Sequence, residues 1–118
     1  MARTKPIPMK AWESVGPYDK PYSRYSCSLL QSPAFTALKA GPRIVYITML
    51  AVAAGHSQFT FPRGVYQPLY GLSHNTVCEA IPRLVEAGFI QLVKRGKNTR
   101  TPNVYQFVDT WKKAARPP

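Results

Sequence analysis

The 118-residue sequence predicts a small α+β domain, a three-helix core followed by a β-hairpin. Three observations predict it. Apolar residues recur at helical spacing in "GPRIVYITMLAVAAG" and "SHNTVCEAIPRLVEAG", each bounded by helix start and stop residues. "FIQLVKRGKNTRTPNVYQFV" then switches to two β-prone runs around a basic, glycine-containing turn. The chain is long enough for one core and too short for two.

The first 24 residues set Pro6, Pro8, Pro17 and Pro21 among Arg3, Lys5, Lys10, Lys20 and Arg24, with too few spaced apolar residues to build an element. A flexible basic N-terminal arm is expected over 1–24, a folded domain over 25–111 and a basic C-terminal tail, "KKAARPP", over 112–118. Tyr18, Tyr22 and Tyr25 are expected to pack the arm onto the domain rather than to stack on bases. Ser32-Pro33 begins a helical turn with Phe35 and Leu38 inward. Gly41-Pro42 opens a helix over 42–54, with proline at its first position and Gly55 at its close. Its apolar residues run most of the way round, which places it at the centre of the core.

"SQFTFP" alternates as a strand around Phe59 and Phe61. A two-turn helix over 63–70 follows through Val65, Tyr66 and Leu69, with Pro68 near its end, and Gly71 turns the chain. Ser73 caps the next helix, 74–87, with Thr76 where a capping box takes its second member. Val77, Ala80, Ile81, Leu84 and Val85 form its inner stripe, and Gly88 stops it. Strands over 89–94 and 103–108 then flank the loop 95–102, and Trp111 anchors the core edge.

Pro82 interrupts that last helix, where an interior proline costs roughly 3 kcal/mol. It shares a stripe with His74 and Cys78, so it faces outward and leaves the Cys78 carbonyl to water. A bend, convex toward solvent, is expected there.

Charge narrows the function. Sixteen Lys and Arg against five Asp and Glu give a net +11 and a pI near 10.1. Residues 25–111 hold eight of these cations and three acids, a net +5 of their own. The favoured partner is therefore a polyanion. No run approaches the roughly 18 apolar residues of a membrane span, and the N-terminus lacks the apolar segment of a secretory signal. Cys27 and Cys78 form no CxxC, so a cytoplasmic location without disulfides is expected. No GxxxxGK[ST] run is present. His74 and Cys78 stand one turn apart, but nothing in the spacing brings Cys27 and His56 to them as metal ligands, and no carboxylate orients them as base and nucleophile. No enzyme activity, metal or cofactor is expected.

Two helices joined by a short glycine turn form a helix-turn-helix unit, whose second helix offers its first residues to the major groove. Its outer face here is His74, Asn75, Cys78, Glu79, Pro82, Arg83 and Glu86. Asn75 suits adenine, Arg83 guanine or phosphate, and Glu79 cytosine, while Ser73 and Thr76 with the free helix-start amides suit a phosphate. "KRGKNTR" sets four cations in seven residues around a turn, a pattern that tracks phosphates or a minor groove.

The run "GLSHNTVCEAIPRLVEAGFIQLVKRGKNTRTPNVYQF" resembles a winged helix-turn-helix domain, with a capped recognition helix, an "L-x-x-x-G-F-I" exit and a basic hairpin as the wing. "SPAFTALKAGPRIVYITMLAVAAGHSQFTFP" is similar to the start of replication-initiator N-terminal domains and related small proteins of plasmids and mobile elements. Together these cover about residues 32–111. The resemblance implies recognition through Ser73, His74, Asn75, Thr76, Glu79 and Arg83, and wing contacts through Lys94, Arg95, Lys97, Asn98 and Arg100. Pro82 departs from the family pattern. Arg3, Lys5 and Lys10 are expected to add contacts from the arm. The expected function is non-enzymatic binding of double-stranded DNA, as a transcriptional regulator or a replication or conjugation accessory factor of a mobile element. Other proteins of a replication or transfer complex are further partners, and the protein acts as a monomer or weak dimer. Two rivals use the same surface: an RNA-binding or ribonucleoprotein component, and a winged-helix protein–protein interaction module.

Overall fold

A computed structural model of the chain describes residue 12, residues 25–96 and residues 101–112. Along them run α1 (Cys27–Gln31), α2 (Pro33–Thr36), α3 (Ala40–Ala53), β1 (Gln58–Thr60), α4 (Arg63–Tyr70), α5 (His74–Glu86), β2 (Ile90–Lys94) and β3 (Val104–Phe107). The domain is α+β: these five helices and a three-stranded antiparallel sheet in the order β1-β3-β2.

Helix α1 was not anticipated. Its cap is Ser26, whose hydroxyl accepts from the Leu29 N–H at 3.2 Å, and only Leu29 is buried. Ser32 closes α1 and opens α2: its hydroxyl donates to the Leu29 carbonyl at 2.8 Å and accepts from the Phe35 N–H at 3.2 Å. Phe35 is buried and Leu38 packs against the core, as their spacing predicts.

The central helix begins two residues earlier than 42. Pro42 is the third residue of α3, and the first helical bond runs from the Arg43 N–H to the Lys39 carbonyl. The first four amides of a helix have no acceptor inside it, so proline costs no bond at the third position either. Arg43 folds back, donating to the carbonyls of Leu38 at 2.8 Å and Thr36 at 2.6 Å, which locks the α2–α3 junction.

At the other end the left-handed residue is Ala54 (φ 49) rather than Gly55 alone. An L side chain pays about 1 kcal/mol or more for that conformation. Ala54→Gly is therefore expected to raise stability by about 0.5–1 kcal/mol, reduced by glycine's freer unfolded state; the midpoint of urea unfolding reads it.

Buried Val45, Tyr46, Met49 and Ala53 of α3 face Val77, Ala80 and Leu84 of α5. The sheet adds Phe59, Ile90 and Tyr105, and an aromatic cluster joins the layers. Tyr46 meets Phe89 at 4.9 Å and Phe107 at 5.8 Å between ring centroids, Phe35 meets Phe89 at 6.1 Å, and Trp111 stacks on Phe89 at 5.4 Å. Burial pushes the Tyr46 phenol up to about 12, so it stays neutral in the core.

Helix α4 has the expected limits. The donor missing at Pro68 would have served the carbonyl of Gly64, which is exposed. Tyr66 alone is buried in α4, whereas Leu69, counted in its apolar pattern, is 72 % exposed. Val85, placed on the inner stripe of α5, is also exposed, at 43 %. Both lie at the margin of stripes whose centres fill the available core. Helix α5 ends at Glu86, with Ala87 as its C-cap. Gly88 (φ 85) makes the exit, and a Cβ there would stand 2.9 Å from the Trp111 nitrogen. Only glycine fits this close approach, because the Trp111 N–H donates to the Gly88 carbonyl.

Both hairpin strands are shorter than predicted. Phe89 belongs to the helix exit, since its N–H still donates to the Leu84 carbonyl. Strand β2 carries a bulge: Leu92 pairs with Tyr105, and Lys94, not Val93, pairs with Val104.

Candidate nucleic-acid interface

Three residues, Gly71, Leu72 and Ser73, join α4 to α5. Gly71 takes the left-handed conformation (φ 68) and its N–H donates to the Gln67 carbonyl, while the Leu72 N–H reaches back to Tyr66 and its side chain is buried. The turn is thus fixed at both ends. Ser73 caps α5, its hydroxyl accepting from the Thr76 N–H at 3.1 Å and sharing a 2.8 Å hydrogen bond with the Thr76 hydroxyl. These two hydroxyls, expected to meet a phosphate, are committed first to each other and to the cap.

His74 is committed as well. Its Nδ1 lies 3.0 Å from Tyr66 Oη, and its Nε2 lies 3.3 Å from Cys78 Sγ. Tyr66 is buried and stacked on Phe61 at 5.0 Å. Burial raises its pKa, the neighbouring Cys78 raises it further, and Arg63 opposes both. The phenol therefore stays neutral and ties the first turn of α5 to α4. This tie was not visible in the sequence, where Tyr66 reads only as a core residue.

The remaining face of α5 is polar and exposed. Asn75 lies on the first turn, and its side-chain amide has no hydrogen-bond partner among the described residues. Arg83 pairs with Glu86 at 3.6 Å, both side chains at least 70 % exposed. Such a pair is worth about 0.5 kcal/mol, too little to hold Arg83 from a phosphate or base. Pro82 is exposed, as its stripe predicts, and α5 continues through it. Glu79, Pro82 and Arg83 form one wall of a cleft of about 660 Å³, whose other wall is Ala37, Leu38, Lys39 and Pro42 at the α2–α3 junction. The face read from sequence as one surface is therefore two: an open first turn at Asn75, and a cleft wall behind it. Lys39 joins this site only through tertiary packing.

In the hairpin, the bulge decides where the basic side chains point. Residues two apart in a strand share a face, and paired residues share one across strands. Without the bulge Lys94 would share the core face with Ile90 and Leu92. With it, Lys94 faces outward with Val104, in line with the row formed by Gln58, Gln106 and Gln91 across the three strands. Gln58 donates to Gln106 at 3.3 Å within that row. Arg95 follows, exposed. The hairpin base is pinned by Asn103, which accepts from the Gly96 N–H at 2.8 Å and lies 3.4 Å from Tyr105 Oη.

Lys97, Asn98 and Arg100 of the expected wing, and Arg3, Lys5 and Lys10 of the expected arm, lie outside the described residues, as do Tyr18 and Tyr22; Tyr25 is described and about half exposed. Among the described residues, no three of His, Cys, Asp and Glu come together as metal ligands, and no helix is long and apolar enough to cross a membrane. Cys27 and Cys78 are both free and exposed. No family model, curated protein or solved structure matches the chain.

Proposed function

We propose that this is a winged helix-turn-helix protein that binds duplex DNA without catalysis, inserting the first turn of α5 into the major groove and laying the β2–β3 hairpin along the backbone or minor groove. The observation that carries the reading is the first turn of α5. It is capped by Ser73, tied to α4 through Tyr66 and His74, and presents Asn75 with an uncommitted amide. A side chain that reads a base edge must be held on a rigid backbone and left free of internal partners. The net charge of +11 supplies the attraction to phosphates, and the bulge that turns Lys94 outward supplies a hairpin contact. The element order and the 1-3-2 sheet agree with the winged helix that the sequence resembles. In this reading the protein serves as a transcriptional regulator, or as an accessory factor in replication or transfer of a mobile element.

Selection from a random duplex library tests it. An enriched motif of several base pairs, lost in Asn75→Ala, is expected; stronger retention of RNA than of duplex DNA, or retention of neither, would sink the reading. The hairpin makes its own prediction. Replacing Lys94 and Arg95 together by alanine should weaken binding by similar factors on all sequences. It should also flatten the plot of log affinity against log salt by about two, near one per phosphate contact. Unequal weakening across sequences would instead assign a base contact to one of them.

A further inference from the structure

The duplex reading uses the first turn of α5 and the hairpin, and it leaves the cleft between α5 and the α2–α3 junction without a role. At about 660 Å³ the cleft has the size of a small-molecule site. Both walls are fixed: Arg43 locks the α2–α3 junction through the carbonyls of Leu38 and Thr36, and the buried faces of α3 and α5 pack on each other. A ligand therefore meets a cleft already formed. Its lining is divided in chemistry. Leu38, Pro42 and Pro82 give apolar surface, and the two prolines have no backbone N–H to offer. Three charged side chains complete it, Lys39 on one wall and Glu79 and Arg83, one turn apart, on the other. Lys39 and Glu79 have no side-chain hydrogen-bond or ion-pair partner among the described residues, and Arg83 has its weak, exposed pair with Glu86. Opposite charges thus stand on opposite walls without bridging. An anion alone would be repelled by Glu79, and a cation alone by Lys39 and Arg83. A molecule that carries both charges on an apolar body matches every group in the lining.

We propose that this cleft binds a small apolar zwitterion, a free amino acid or a short peptide, with Lys39 and Arg83 receiving its carboxylate and Glu79 its ammonium. The planar guanidinium of Arg83 can donate two parallel N–H bonds to a carboxylate, and Lys39 adds a charge from the facing wall. Glu79 accepts from the ammonium one turn away along α5. Leu38, Pro42 and Pro82 take the apolar body. The proline that interrupts α5 thereby has a use: an exposed helix position with a long polar side chain would send it into the cleft, whereas Pro82 keeps that wall short and stiff.

The full chain is titrated at neutral pH with L-phenylalanine and with leucyl-leucine, and backbone amide chemical shifts follow binding. Saturation with a dissociation constant of about 1 mM or tighter is expected for at least one of them, and the tighter of the two names the source, free amino acid or peptide. Hydrocinnamate, which lacks the ammonium, and phenethylamine, which lacks the carboxylate, should each bind about fivefold more weakly than L-phenylalanine. Glu79→Gln should weaken L-phenylalanine by a similar factor and leave hydrocinnamate no weaker than before. Lys39→Ala should weaken L-phenylalanine and leave phenethylamine no weaker. Both side chains are exposed, so these variants keep the fold. No saturation by either zwitterion up to about 10 mM would overturn the site. So would hydrocinnamate or phenethylamine binding as tightly as L-phenylalanine, or equal losses of every probe in Glu79→Gln. None of these readouts involves a duplex, so a failure of the DNA reading is seen separately, in the library selection.

Discussion

Phe89→Ala is expected to lower the free energy of unfolding by about 3–5 kcal/mol, the range for removing a fully buried aromatic ring. Phe89 has no exposed surface and holds four segments together. Its ring meets Phe35 of α2, Tyr46 of α3 and Trp111 near the C-terminus, while its backbone leads from α5 into β2. Three aromatic neighbours cannot all collapse into the space it leaves, so both the transfer and the cavity contributions are lost. Domains of this size hold roughly 5–15 kcal/mol in total, so the loss removes between about a fifth and all of it. Urea unfolding followed by circular dichroism measures it, and Phe89→Leu, which refills most of the volume, should recover more than half of the loss. A loss below about 1 kcal/mol would remove Phe89 from the centre of the core.

Pro82→Ala should have a large effect of the opposite sign. Alanine restores a donor to the Cys78 carbonyl and removes the proline's clash with the preceding turn, a change of roughly 3 kcal/mol in a helix interior. The unfolded chain regains freedom once the proline is gone, which offsets up to about 1 kcal/mol, so a net gain near 2 kcal/mol is expected. Because the ring is exposed, no core contact is lost. Affinity for a selected duplex should change by less than about threefold if the first turn of α5 makes the base contacts, since that turn precedes the proline. A tenfold or greater change would move the contacts to the cleft wall at Glu79 and Arg83. Thermal unfolding and duplex titration of the same preparation give both answers.

Local signals were legible in the sequence, and signals made by packing were not. The limits of α4 and the cap of α5 agree with expectation because proline, glycine and serine act through their own backbone and nearest turn. Helix α1 was missed because five residues with one buried leucine show no periodicity, and its serine caps are common in loops. The start of α3 was misplaced because proline fits any of the first helical positions, not only the first. Leu69 and Val85 were placed on apolar patterns by spacing alone, which cannot say where a core runs out of room. At the candidate site, the outward residues of α5 were found, since 3.6 residues per turn sorts its faces. Neither the cleft with Lys39 nor the Tyr66–His74 contact was, because each joins residues whose proximity is created by a turn or by another helix.

The bulge at Val93 has a second consequence, for how the protein behaves when crowded. Strand β2 lies at one margin of the sheet, with Leu92 and Val93 both partly exposed, 37 % and 45 %. A long flat margin of that kind is a template on which another chain can add a strand, the first step of aggregation. The extra residue breaks the regular spacing of free amides and carbonyls along that margin, and Lys94 puts a charge beside it. At the opposite margin β1 is only three residues long, too short to hold an added strand firmly. The irregularity that aims a lysine outward thus also leaves the open side of β2 a poor template for an added strand.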